Sequence, residues 1–153
     1  MIQRTRRGHL LEFNFPEIYA PIDLGIGQCR ISIAEPACSK LHDDPSTWSS
    51  VRVATKYPEI TRNYFSQKGV QAECIKLNGA IELAPSLGLC RHIVDLVSTG
   101  NTLIANGLVE VDVIAEITSR LAVNRVSWKT RATEINYWIK CFRESVRAIG
   151  KSN

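Results

Sequence analysis

Hydrophobic and polar positions change period several times along this chain, and each change marks an element. Residues 1–20 show no clear period and are expected to form a basic, partly loose lead-in. Gly25-Ile26-Gly27 punctuates the chain, and Gln28 to Ala34 (QCRISIA) then alternates polar and apolar as a strand does. Glu35 to Ser50, rich in Pro, Ser and Asp, reads as a loop or a crossing between lobes. VRVATKY (Val51–Tyr57) is a short β-type run, and Pro58 follows at a first helical position, where a missing N–H costs nothing. Ile60, Tyr64 and Phe65 share one helical face, and Gly69 closes that helix.

VQAECIKLN (Val70–Asn78) is the next strand, and Ile81 to Ala84 makes a short helix that Pro85 must end or kink. HIVDLV (His92–Val97) is apolar on both faces, as a buried parallel strand would be. This strand–helix alternation predicts an α/β fold with right-handed crossovers. After Gly107, LVEVDVIAEI alternates strictly, which suits an antiparallel or edge strand, and SRLAVNRV is a further β-type run. Ala132, Ile135, Trp138, Ile139, Phe142, Val146 and Ile149 then recur at spacings of 3 and 4, predicting a helix from about Thr130 to Ile149 that Gly150 stops. No internal repeat is visible.

Composition narrows the picture. Of 153 residues, 44% are hydrophobic and 22% charged, which excludes disorder, collagen-like repeats and coiled coil. Nineteen Lys and Arg against fifteen Asp and Glu give a mild net charge of +4 spread along the chain, a better match to anionic small ligands than to nucleic acid. No apolar run is long enough to span a membrane, and the N-terminus lacks a signal-type run. Five cysteines, with no C-x-x-C pair, fit a reduced, cytoplasmic protein.

The segment DLVSTGNTLIANGL (Asp95–Leu108) carries the chemistry. A buried strand ends near Ser98, small residues turn, and a helix begins near Thr102. Backbone N–H groups at a helix start have no intrahelical partner, and they sit at the positive end of the helix dipole. Gly100 lets backbone approach a ligand closely, while Ser98, Thr99 and Thr102 add hydroxyls; together they form a phosphate cradle without a lysine. Asp95 is placed to reach sugar hydroxyls or a Mg²⁺ ion beside the phosphate. A turn of this composition also serves simply to cap a helix with Thr or Asn. Spacing alone leaves both readings open.

Taken together, DLGIGQCRISIA (Asp23–Ala34), VATKYPEITRNYFSQKG (Val53–Gly69), IKLNGAIELAPSLGL (Ile75–Leu89) and IVDLVSTGNTLIANGLVEV (Ile93–Val111) give the chain a strong likeness to one family. It resembles the catalytic subunit of ATP phosphoribosyltransferase, the first enzyme of histidine biosynthesis, over most of residues 21–125. The resemblance implies a two-lobed α/β fold similar to periplasmic binding proteins. It implies that N1 of the ATP adenine displaces pyrophosphate from C1′ of phosphoribosyl pyrophosphate, with Mg²⁺. Carried over, Ser98, Thr99, Gly100, Asn101 and Thr102 hold the 5-phosphate and Asp95 faces the ribose. The family's common acidic residue before the Thr-Gly pair is Ser98 here.

Family members carry a long further segment before the position of Asp23, with a Lys/Gly/Arg phosphate signature; here twenty-two residues precede it, and Arg7–Glu12 (RGHLLE) echoes that signature in part. The implied organisation is a lead-in over residues 1–22 left from lobe one, a second lobe over 23–118 with the phosphate loop, and a return segment over 119–153 ending in the amphipathic helix. The likeness is to the short form, which works as an oligomer with a regulatory subunit similar to histidyl-tRNA synthetase. On this reading the isolated chain is expected to be inactive, with part of its last helix exposed. Two alternatives stay open: a non-catalytic periplasmic-binding-like module holding a phosphorylated ligand, or a structural subunit of a hetero-oligomer.

Other residues admit a functional and a plain reading. Cys38, His42, Asp43 and Asp44 form a loop cluster that has too few ligands of the right spacing for zinc. Lys56 meets a phosphate or lies on the surface. Asn78-Gly79 turns toward a cleft or is a simple turn, and Glu82 is a ligand contact or a solvated first-turn acid. Arg30 is a structural ion pair or a substrate contact. His92 is read as a satisfied strand-end histidine, and Trp128 and Trp138 as packing residues.

Overall fold

The computed structural model describes residues 2–6, 8, 10, 12, 15–38 and 48–149. The chain forms two compact units, one of Met1–Gln28 with Ile117–Asn153, the other of Cys29–Glu116. The first holds a three-stranded sheet of β1 (Ile2–Arg6), β2 (Ile18–Asp23) and β8 (Ser119–Asn124), with β8 in the middle and antiparallel to both. Residues 2–6 and 18–20 of the expected loose lead-in are therefore strand. Their strand character is hidden because β2 contains Pro21 and shifts register between Tyr19 and Ile22, which breaks the two-residue alternation.

In the same unit, Ile22, Leu121, Val123, Ile135 and Ile139 form a core that Leu24, Trp128 and Val146 extend. Ile135 and Ile139 stand one turn apart on α4 (Ala132–Ile149) and so face the sheet together. The predicted last helix is α4; a separate short helix, α3 (Arg125–Thr130), which the sequence pattern did not indicate, precedes it, and the backbone leaves the helical region at Arg131 between them. Asn124 caps α3, its Oδ1 accepting from the N–H groups of Val126 and Ser127 at 3.0 Å each. Trp128 packs as expected, stacked on Tyr19 at 4.9 Å, whereas Trp138 is 46% exposed and Phe142 39% exposed. Gly27 has a positive φ of 64°, and a Cβ there would lie 2.9 Å from Ser119 Oγ, so only glycine fits. Gly150 lies outside the described residues.

The second unit is an α/β layer around a five-stranded sheet in the order β5-β4-β6-β3-β7. Its strands are β3 (Cys29–Pro36), β4 (Ser50–Thr55), β5 (Gln71–Lys76), β6 (His92–Val97) and β7 (Leu108–Ile117). Strand β4 runs parallel to β5 and to β6, whereas β3 runs antiparallel to β6. Strand β6, apolar on both faces around Asp95, is thus parallel on one side only. Burial on both faces requires that apolar run; a second parallel neighbour is not needed. The alternating β7 sits at the sheet edge, as its pattern predicts.

One face of this sheet carries Ala34, Ala54, Ile93 and Val97, covered by Ile81, Ala84, Leu103 and Leu108. The other carries the fully buried Ile31, Ile33, Val53 and Val94, with Phe65 and Thr61 of α1 (Pro58–Gln67) also fully buried. Pro58 opens α1, and the chain leaves it through Gly69 at a φ of 74°, with the Val70 N–H donating to the Phe65 carbonyl at 2.9 Å. The predicted short helix at Ile81 is a 3₁₀ turn, Ile81–Leu83. All five cysteines are free thiols. Among the described residues no helix is long and apolar enough to cross a membrane.

A three-residue cluster ties α1 to β7. The Tyr64 hydroxyl and the Lys68 ammonium both donate to Asp112 Oδ2, the latter at 2.9 Å, and Lys68 lies over the Tyr64 ring. Burial pushes the Asp112 carboxyl up, but the bonds from Tyr64, Lys68 and the Val113 N–H outweigh it and hold the group below its ordinary value. A depressed carboxylate stabilises the fold above the unfolded-state value of about 3.9, and that contribution disappears as pH falls through the folded-state value. Asp112→Ala is expected to cost about 0.5–1 kcal/mol at pH 7, allowing for solvent screening. In urea unfolding at pH 7 and below pH 3, the difference from the parent should be present in the first and absent in the second.

Candidate functional site

Parallel strands expose their carboxyl ends together, and ligands of open α/β sheets bind in the crevice outside those ends. Thr55, the last residue of β4, pairs with Val94, so β6 runs three residues beyond it to Val97. That overhang carries Asp95 on the face shared by Ile93 and Val97, and the chain then turns through Ser98 and Thr99. A cavity of about 160 Å³ opens there, lined by Asp95, Ser98, Thr99, Gly100 and Thr102 with Glu82 opposite. Of the residues singled out in sequence, Asn101 does not line it. Asn78 and Gly79 also stand outside it, as an exposed turn.

The turn is built by its smallest residue. Gly100 is the N-cap of α2 (Asn101–Ala105), with a φ of 84°, where a side chain would be strained although space is open to 3.9 Å. Thr and Asn, the caps expected from composition, do not occupy that position. Thr99 Oγ1 instead accepts a long bond of 3.4 Å from the Asn101 N–H. The helix has only five residues, so its summed dipole is small. What remains for an anion is local: backbone N–H groups of the first turn and the Ser98, Thr99 and Thr102 hydroxyls, all on exposed residues.

The opposite wall is acidic. Burial pushes the Asp95 carboxyl above its ordinary value; Glu82 adds to this, while the Leu96 N–H, donating to Asp95 Oδ1 at 2.7 Å, and Lys56 oppose it. Lys56 follows Thr55 and so stands beside Asp95 in the sheet register, half-buried. Glu82, from the 3₁₀ turn, read in the sequence as either a ligand contact or a solvated first-turn acid, lines the cavity.

Arg30 resolves to a structural pair. Its guanidinium makes a forked contact with Glu110 on β7, at 2.7–3.1 Å, and its Nη1 donates to the Ser98 carbonyl at 3.3 Å. The Glu110 bond holds Arg30 charged, and the second contact pins the start of the turn. His92 is buried at the other end of β6, with Nε2 3.3 Å from Glu35 Oε2 and its ring 4.1 Å from Trp48. It lies away from the cavity. Cys38 is exposed, while His42, Asp43 and Asp44 fall outside the described residues, as do Arg7, His9 and Leu11 of the Arg7–Glu12 echo.

This arrangement pairs neutral hydroxyl and amide donors, suited to phosphoryl oxygens, with carboxylates suited to sugar hydroxyls or a divalent cation. The sequence pattern of the ATP phosphoribosyltransferase family matches residues 7–144. A relative from Rhodospirillum rubrum named ATP phosphoribosyltransferase is 64% identical over 140 residues, covering 92% of this chain and 62% of its own length. The structure of an ATP phosphoribosyl transferase (HisG:HisZ) complex from Thermotoga maritima superposes with a TM-score of 0.81 at 30% identity, over 96% of this chain and 70% of that one. Holo ArgBP from T. maritima, at 13% identity and a TM-score of 0.60 over 87% of this chain and 57% of its own, shares the fold. The chain spans about 60% of the length of the curated relatives it matches.

A carboxyl raised by burial leaves a mark on stability. Below about pH 3.9 Asp95 is protonated folded or unfolded, and its burial costs little; as pH rises through the folded-state value, the buried charge erodes stability. Asp95→Asn keeps the acceptor for the Leu96 N–H and removes the charge. It is expected to raise the melting temperature at pH 7 by about 2–4 °C. The gain should vanish near pH 3 in calorimetric scans.

Proposed function

The chain belongs to the ATP phosphoribosyltransferase family, and from that premise we propose that its cavity is the phosphoribosyl half of the site that joins phosphoribosyl pyrophosphate to N1 of ATP, releasing pyrophosphate, as the first step of histidine biosynthesis. The observation that carries the reading is the cavity at the end of β6, where Asp95 and the Ser98–Thr102 turn meet. Ser98, Thr99 and Thr102 donate hydroxyl bonds to the 5-phosphate, and the backbone at Gly100 and Asn101 approaches it closely. Asp95 accepts from the ribose hydroxyls. The sugar is thereby held with C1′ toward the open side, so that positioning carries much of the rate. Backbone and hydroxyl donors fixed before the ligand arrives need no rearrangement as charge shifts to the departing pyrophosphate.

The donor set fits Mg²⁺. Two carboxylates, Asp95 and Glu82, line one cavity, and Glu82 adds to the effect of burial in disfavouring ionisation of Asp95. Among the described residues no cluster of three or more metal-ligating side chains occurs, and Mg²⁺ commonly uses one or two carboxylates plus substrate phosphate oxygens. Bound there, the ion would screen the negative charge of the leaving pyrophosphate. The T. maritima structure is of a two-protein complex; by analogy we place this chain in a hetero-oligomer with a regulatory subunit similar to histidyl-tRNA synthetase. A biosynthetic enzyme drawing on ATP is expected to act in the cytoplasm.

Calorimetric titration with phosphoribosyl pyrophosphate is expected to show one site per chain, and Thr102→Val, which keeps shape and loses the hydroxyl, should weaken it by about 5- to 10-fold. Formation of N1-phosphoribosyl-ATP is followed by ultraviolet absorbance, with and without a short-form regulatory subunit. Binding with product in either condition supports a transferase. Binding without product in both would favour a non-catalytic phosphate-binding module, and absence of binding would remove the site.

A further inference from the structure

Strand β3 carries a buried hydroxyl that makes no bond. Ser32 is 1% exposed, between the fully buried Ile31 and Ile33, and its Oγ has no hydrogen-bond partner among the described residues. A buried polar group left unpaired costs about 1–3 kcal/mol, which alanine at the same place would avoid. Its position supplies a reason. Ser32 pairs with Asp95 in the antiparallel β3–β6 ladder. Residues directly opposite in such a ladder point to the same face, with Cβ atoms about 4.5–5.5 Å apart. A serine hydroxyl can swing across that gap to a carboxylate oxygen by rotation about χ1.

Asp95 has the matching need. Its Oδ1 takes the Leu96 N–H, and among the described residues nothing donates to Oδ2. The other charged groups around it are Glu82 from the 3₁₀ turn, Lys56 beyond β4, and Arg30 on β3, the last already engaged by Glu110. We propose that Ser32 is a positioning residue for Asp95: when a ribosyl ligand engages that carboxylate, the Ser32 hydroxyl donates to its second oxygen and fixes its rotamer. This inference rests on the phosphoribosyl reading of the cavity. It explains why the middle of a strand otherwise filled with apolar residues keeps a hydroxyl on the face beneath the site.

Ser32→Ala and Ser32→Thr in the full chain test it, with phosphoribosyl pyrophosphate and inorganic phosphate as separate probes. Inorganic phosphate reaches the Ser98–Thr102 turn without touching Asp95, so it reports the cradle alone. Ser32→Ala is expected to keep or raise the melting temperature and to weaken phosphoribosyl pyrophosphate about 10-fold, a loss typical of a hydrogen bond to a charged group. Its affinity for inorganic phosphate should stay unchanged, and Ser32→Thr, which keeps the hydroxyl, should restore phosphoribosyl pyrophosphate to within about 3-fold. Unchanged affinity for both probes would overturn the proposal, as would equal weakening of both, or a melting temperature lowered by several degrees with affinities intact. If the parent chain binds inorganic phosphate but not phosphoribosyl pyrophosphate, the phosphoribosyl reading falls and this inference with it.

Discussion

The register between β4 and β6 governs everything else in the larger unit. Because Thr55 lies beside Val94, β6 projects beyond its parallel neighbour, and its last residues pair with β3 on one side and with no strand on the other. That asymmetry makes a ledge. A one-residue slip of β6 would turn Asp95 to the opposite face, among Ile31, Ile33 and Phe65, where its charge would have no water. The apolar pattern prevents the slip, since Ile93 and Val97 must remain with Ala34, Ala54 and Leu103. The packing that holds the sheet together therefore also aims the carboxylate at the cavity.

The ledge carries costs that packing alone would not accept. Asp95 is half-buried near a second carboxylate, and Ser32 is buried without a bond. Both lie within one strand pair. Such concentration of unfavourable features is characteristic of functional sites, where strain is retained because a ligand relieves it. Arg30 offsets part of this cost, bracing the turn at the Ser98 carbonyl while Glu110 neutralises it. The Tyr64–Lys68–Asp112 cluster, by contrast, is fully reciprocal and stabilises the fold without a role in the cavity.

Most of the larger unit was legible because its signals are local. Pro58 and Gly69 bracket α1, strict alternation marks β7, and the small-residue run after β6 announces a turn into a helix. What escaped depends on pairing across the chain. The strands in the first twenty residues are defined by β8, more than a hundred positions away, and β2 hides its period behind a register shift. The antiparallel side of β6 is likewise set by β3, and α3 escaped because its first residues end the β-type run SRLAVNRV. Asp95 and the Ser98–Thr102 turn stood out as candidates, with a plain helix cap as the other reading of the same residues. Glu82 stood as a candidate with a plain alternative until the cavity took it in, and Ser32 joins them only once the β3–β6 register is known.

The central claim is that the carboxyl end of the parallel strands, and no other part of this unit, receives the phosphoribosyl group. Amide shift mapping by two-dimensional NMR during titration with phosphoribosyl pyrophosphate tests it most directly. The account predicts saturable shifts at the amides of Leu96 and Thr99 through Leu103, with Trp48, Arg52 and Arg91, at the other end of the sheet, unmoved. Saturable shifts centred on Trp48, Arg52 and Arg91, with Thr99 through Leu103 silent, would contradict it.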